Sequence, residues 1–191
     1  MPKVAIVFQS NNGHTAVLAE AVRRGALSVA GTEATLIPVS KADDHAQQLD
    51  AADAIVFGAP TFMGNVPAEF KQFMDSTASV WIRQGWRNKV AAGFTCSACW
   101  SGDKLNTLMQ MAVFAAQHSM LWAPLGMMPG NYTSTGSPSD LNRVGGFLGA
   151  MAQANADEGT DVAPPQADRD TAQHLGKQVA EIVHRFTYGS R

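Results

Sequence analysis

Val4 to Phe8 (VAIVF) is an unbroken apolar run rich in β-branched residues, the pattern of a strand buried on both faces. A small polar patch, Ser10–Thr15, separates it from a helical repeat over Thr15–Val29. There Leu18, Ala21, Val22, Gly25 and Val29 share one face, and Glu20, Arg23 and Arg24 are left for solvent. Ala34–Val39 reads as a second strand, and the polar stretch Lys41–Ala52 as a short helix or loop. Ala54–Gly58 (AIVFG) is a third buried strand. Pro67 then suits the first turn of a helix, where its missing N–H costs nothing, and Phe70, Phe73 and Met74 give that helix an apolar face. Lys89–Thr95 is a fourth strand and Leu105–Gln117 a helix. Met120–Pro124 gives a short fifth strand, and Leu125–Asn142, rich in Gly, Pro, Ser and Thr, a long loop. Gly145–Gln153 fits a continuation of that fifth strand after the insertion. A loop over Asn155–Gln166 and a last amphipathic helix, Asp168–Phe186, complete the chain.

Five alternations of strand and helix predict an α/β fold: a doubly wound, five-stranded parallel sheet in one domain spanning 1–191. Right-handed crossovers leave few topologies. The order expected is 2-1-3-4-5, with a ligand crevice at the carboxyl ends of strands 1 and 3.

Composition narrows the class. Hydrophobic residues make up 46% of the chain and charged residues only 16%. The predicted helix Leu105–Gln117 is apolar nearly all round, which a monomer's surface helix would not be. Both features predict a homo-oligomer. A net charge of -2 speaks against nucleic acid and anionic membranes as partners. No segment approaches the ~20 apolar residues of a membrane span, and the N-terminal apolar run is too short for a signal peptide. With two cysteines, a reduced cytoplasmic setting is the expectation.

In a parallel sheet, every loop that follows a strand emerges at the same edge. Three such loops are small, polar or glycine-containing. Ser10, Asn11, Asn12, Gly13, His14 and Thr15 open a helix, whose free N–H groups and dipole suit a phosphate; a plain turn with an N-cap is the alternative. The patch has neither GxGxxG nor GxxxxGK[ST], so it is neither a dinucleotide fingerprint nor a P-loop. Pro60, Thr61, Phe62, Met63, Gly64 and Asn65 offer an apolar wall and backbone donors. Cys96, Ser97, Ala98, Cys99, Trp100 and Ser101 add small residues and one indole. A phosphate on the first loop and a flat ring between the other two describe FMN. Cys96 and Cys99 form a CxxC, which reads either as a redox pair beside the flavin or as two small polarizable residues in a tight loop. No His/Cys/Asp/Glu cluster has metal-ligand spacing.

The SNNGHT at 10–15 resembles the phosphate loop of flavodoxin-like proteins. Together with PTFMGN at 60–65, DST at 75–77 and Trp81, the chain resembles the NAD(P)H:quinone oxidoreductases once named tryptophan-repressor-binding proteins. Those carry SxxGH, PTRFGN, LDQT and a Trp at this spacing. The resemblance continues to Gln117-His118-Ser119-Met120, where the family has His-His-Gly-Met, and is weakest over 125–166. It implies a flavodoxin-like fold and an enzyme that moves two electrons from NADH or NADPH through FMN to a quinone by ping-pong. It also implies a tetramer. The three loops would hold FMN, with Trp81 walling the substrate pocket and Gln117 and His118 beside it. A flavodoxin-type electron carrier docking on protein partners is the alternative. The chain departs from the family in three places. Phe62 or Met63 stands for its Arg, Cys96, Cys99 and Trp100 replace Ser, Thr and Gly, and Gln117 replaces the first His.

Overall fold

A computed structural model of the chain describes residues 1–188. Five positions of a parallel sheet are filled in the order β2-β1-β3-β4-β5. The strands are β1 (Lys3–Phe8), β2 (Glu33–Pro38), β3 (Ala54–Pro60), β4 (Val90–Ser97) and β5 (Leu121–Trp122). A further strand, β6 (Ala150–Gln153), shares the fifth position. β5 pairs with the start of β4 (Val90↔Leu121) and β6 with its end (Phe94↔Ala150 to Ser97↔Gln153). The fifth strand is thus split by residues 123–149; it resumes at Ala150, five residues after the start of the Gly145–Gln153 stretch. The returning segment is fixed by the Trp122 indole N–H on Leu148 O (2.9 Å) and the Leu125 N–H on Phe147 O (3.0 Å).

Helices α1 (His14–Leu27) and α6 (Gln166–Tyr188) cover one face of the sheet, while α2 (Ala46–Ala51), α3 (Ala68–Ser76), α4 (Ala78–Ile82) and α5 (Lys104–Gln117) lie on the other side. Alternation along β1 divides the core: Val4 and Ile6 join the α1–α6 cluster, and Ala5 and Val7 the α3–α5 cluster. Every residue of β3 is buried, as a central parallel strand requires. The polar stretch Lys41–Ala52 resolves into a short 3₁₀ turn (Asp43–His45) and α2, preceded by another at Val39–Lys41.

The crossing of α1 and α6 depends on two glycines. A Cβ at Gly25 would lie 1.8 Å from Gln173 O, and one at Gly176 would lie 1.9 Å from Val22 O. The two backbones touch where any side chain would hold them apart. This contact brings the start of α6, with Asp168, back to the carboxyl edge of the sheet.

Candidate functional site

The first loop passes into α1 through Gly13, whose φ of +87° belongs to the left-handed region. A Cβ there would come within 2.6 Å of Thr160 Cγ2. Glycine therefore serves both the turn and the close approach of the segment after β6. The Ala16 N–H donates to Ser10 Oγ (3.2 Å), and the helical ladder begins with the Val17 N–H on Gly13 O (3.0 Å). The N–H groups of His14 and Thr15 precede that ladder, so they have no carbonyl within the helix. The His14 ring bonds the Glu158 carbonyl through Nε2 (2.8 Å). A carbonyl only accepts, so Nε2 carries the proton and the ring is a strut between two loops.

The second loop is a tight reversal. Phe62 and Asn65 exchange backbone hydrogen bonds (2.9 and 3.0 Å), and Met63 and Gly64 both have positive φ (48° and 78°), as a type I′ turn demands. Methionine is an unusual residue for that position, and Met63 is fully exposed. Asn106 of α5 ties the tip down through Gly64 O (2.7 Å). Thr61 turns inward instead: its hydroxyl meets those of Thr95 and Thr107, both at 2.8 Å, in a buried trio.

The third loop hangs on Lys104, the first residue of α5. Its Nζ donates to Ser97 Oγ (2.9 Å), Cys99 O (2.7 Å) and Trp100 O (2.8 Å), and the side chain is only 1% exposed. Beneath the same loop lies a buried ion pair. Arg143 Nε and Nη2 donate to Asp168 Oδ1 (2.8 Å) and Oδ2 (2.9 Å), and the Gln153 N–H also donates to Oδ2 (2.9 Å). Gln153 in turn holds Ala98 O through Nε2 (2.9 Å). Arg143 covers one face of Trp100, its guanidinium carbon 4.5 Å from the ring centroid. Burial pushes the Cys96 thiol up to about 12, against the opposing pull of the Lys104 ammonium, and both cysteines are free. Cys96 is a packing residue and no ready thiolate, so the dithiol reading of the CxxC loses its nucleophile on that side.

A cavity of about 130 Å³ joins these loops. Ser10, Asn11, Asn12, His14, Thr15, Pro60, Phe62, Cys96, Ser97 and Ala98 line it, with Ala154 and Ala156 from the segment after β6. Gly13 underlies it, Thr61 supports it from the core, and Met63, Gly64 and Asn65 form the adjoining turn. Trp100 and Ser101 line a different space, an apolar hollow of about 1040 Å³ between α5 and residues 143–151; Cys99 sits exposed on the loop between. The sequence motifs do not mark the fourth wall (Ala154 and Ala156), nor Glu158 and Thr160 that support His14 and Gly13, nor Lys104, Arg143, Gln153 and Asp168. The first group had a signal: a segment following a resumed parallel strand must leave at the same edge.

Trp81, Gln117 and His118 lie elsewhere. α5 runs back from the carboxyl edge, so Gln117 and His118 stand roughly 20 Å away, at the amino edge. His118 Nε2 meets Thr77 Oγ1 (2.9 Å), whose own proton goes to Met74 O (2.7 Å), so Nε2 is the donor. The ring packs against Trp86 and Phe114 (centroids 4.5 and 4.8 Å away), and burial lowers its pKa. Trp81 belongs to α4, one turn from Thr77, and is half exposed. Within one chain, none of the three joins the loop cluster. The sequence alignment to a family motif did not register that α5 reverses direction.

The loops fit an anion with a flat apolar body. Unpaired helix N–H groups and hydroxyls meet at Gly13, and exposed Phe62 and Met63 stand beside them. Residues 2–130 match the NADPH-dependent FMN reductase family. The chain belongs to that family. It is 38% identical to "Flavodoxin FldP" of Pseudomonas aeruginosa over 95% of this chain and 97% of that one. It is 30% identical to an "NAD(P)H dehydrogenase (quinone)" of Solidesulfovibrio magneticus, over 96% and 98%. Among solved structures, a flavodoxin, WrbA-like protein from Agrobacterium tumefaciens superposes with a TM-score of 0.74 at 34% identity, covering 97% of this chain and 99% of that one. The fold is flavodoxin-like. Among the described residues, no helix is long and apolar enough to cross a membrane, and no group of three or more His, Cys, Asp or Glu could hold a metal.

Proposed function

We propose that this FMN reductase family member is an FMN-dependent oxidoreductase that takes two electrons from NADH or NADPH and passes them to a quinone or similar small acceptor by ping-pong. The observation that carries the reading is the convergence of the three post-strand loops on one cavity at the N-terminus of α1. The 30% relatives named NAD(P)H dehydrogenase (quinone) give the reaction class. Bound FMN supplies hydride acceptance and electron donation. The chain's residues supply position. The N–H groups of His14 and Thr15 and the Ser10 and Thr15 hydroxyls would hold the phosphate, helped by the helix dipole. Asn11 and Asn12 offer amides to the ribityl chain. Phe62 and Met63 would cover one side of the ring, and Ser97 and Ala98 would border it. His14 is spent on Glu158, so no side chain at the cavity is left to act as an acid or base.

Leu105, Met109 and Val113, about half exposed, form a stripe along the outer face of α5. We assign it to a second copy of the chain, in a dimer or tetramer. Free Cys96 and Cys99 agree with a cytoplasmic, reduced setting.

A second reading has its own support: the 38% relative is named a flavodoxin, which points to one-electron transfer between proteins. Steady-state oxidation of NADH and NADPH by the FMN-loaded chain, with benzoquinone as acceptor, separates the two. Turnover limited by both substrates in a parallel-line pattern supports the enzyme. Negligible turnover, with a large half-reduced flavin population in a dithionite titration, supports the carrier.

A further inference from the structure

The acceptors around Lys104 fix its charge. The Ser97 hydroxyl spends its proton on Cys99 O (3.0 Å), so toward Lys104 it can only accept. The Cys99 and Trp100 carbonyls can only accept as well. Three acceptors require three N–H donors, and a neutral amine has two, with a lone pair that would face an oxygen. Burial pulls the Lys104 pKa down from the ordinary lysine value, yet this arrangement holds only for the ammonium. The Arg143–Asp168 pair beneath the loop is internally neutral, its carboxylate accepting three N–H bonds. Lys104, Arg143 and Asp168 together therefore leave one net positive charge behind the third loop.

The same bonds orient the loop's backbone. The described peptide bonds there are trans, since the one cis bond is Ala163–Pro164. In a trans peptide, C=O and N–H point in opposite directions. Lys104 draws the Cys99 and Trp100 carbonyls inward. The N–H groups of Trp100 and Ser101 are thereby turned away from Lys104; those two residues line the hollow beside α5, and the link from Lys104 to the cavity is Ser97.

We propose that Lys104 is a positioning residue for bound FMN: it holds Ser97, which lines the cavity, and the net positive charge behind the third loop favours reduced over oxidised flavin. This rests on the FMN reading above. A hydride from NAD(P)H brings two electrons and one proton, leaving NAD(P)⁺ and one added negative charge on the ring. A preorganised buried cation stabilises charge that develops in this way. The sequence offered no hint of this, because a lysine at the start of a helix reads as solvated surface.

The test is the two-electron midpoint potential of FMN bound to the wild-type chain and to Lys104→Met, read against indicator dyes. The substitution keeps the stem and removes the charge. The expected result is about a tenfold loss of preference for reduced over oxidised FMN, a potential lower by about 30 mV. Lys104→Gln, which keeps an amide donor toward the loop and removes the charge, lowers the potential in the same direction and decides the matter if Lys104→Met does not fold. An unchanged or raised potential in the folded variant overturns the role of Lys104 and leaves FMN binding intact. A wild-type chain that binds no FMN overturns both the FMN reading and this one.

Discussion

The two edges of the sheet carry similar chemistry in opposite settings. At the carboxyl edge, Phe62, Met63 and Trp100 are exposed, and helix N–H groups lie free around a cavity. At the amino edge, Trp86, Phe114 and His118 stack edge and face with the polar ends turned inward. Both places bring together aromatics, a histidine and small polar residues. Both leave polar atoms unpaired, but at the amino edge Trp86 Nε1 and His118 Nδ1 are sealed in the core, whereas the carboxyl edge opens its groups onto a cavity. A site differs from a core in whether its unpaired groups can be reached, and residue type alone does not report that.

The largest test of the contrast lies in the ion pair under the third loop. Arg143→Ala leaves Asp168 buried without its partner, and urea unfolding should show a loss of about 3–5 kcal/mol. A loss below about 1 kcal/mol would mean that the network does not hold the carboxyl edge together. Met63→Gly relieves a positive-φ methionine, so stability should rise by up to about 1 kcal/mol. FMN affinity, measured by fluorescence quenching, should fall in the same variant. An unchanged affinity would remove Met63 from the residues that cover the ring.

At the amino edge the expected response is to pH. The folded state lowers the pKa of His118 through burial, so the unfolded state takes up its proton first as pH falls. The contribution is complete above about pH 6.5, the ordinary histidine value, and is lost as pH drops below it. Thermal unfolding from pH 7.5 to 5 should show this loss, and His118→Asn should flatten it. The smallest effect concerns the thiols. Iodoacetamide at pH 8 should label Cys99 readily and Cys96 only after unfolding, because Cys96 is buried with its pKa raised to about 12. Equal labelling of both in the native protein would restore the CxxC as a candidate redox pair.

Much of this molecule was legible in local pattern. The apolar runs Val4–Phe8 and Ala54–Gly58 and the 3.6-residue repeats name strands and helices because period and burial are local consequences of backbone geometry. Their alternation predicts the sheet order. A parallel sheet sends every post-strand loop to one edge, so the meeting of residues 10–15, 60–65 and 96–98 was deducible as well. Long-range pairing was less accessible. Gln117 and His118 match a motif in order and type, but α5 carries them to the far edge, and a linear comparison has no direction in space. Trp100 sits in the third loop by sequence, but one of its faces is covered by Arg143, forty-three positions later.

The sequence alone determined the strands, the helices, the polar loops and the edge on which they gather, because each follows from neighbours a few residues apart. Only the tertiary structure decided which polar groups are spent and which are free. Nothing local marks Lys104, Asp168 and Arg143 for burial, yet α5, α6 and the insertion close over them. Burial and the saturation of hydrogen bonds depend on residues brought together from distant parts of the chain, and no local pattern encodes them.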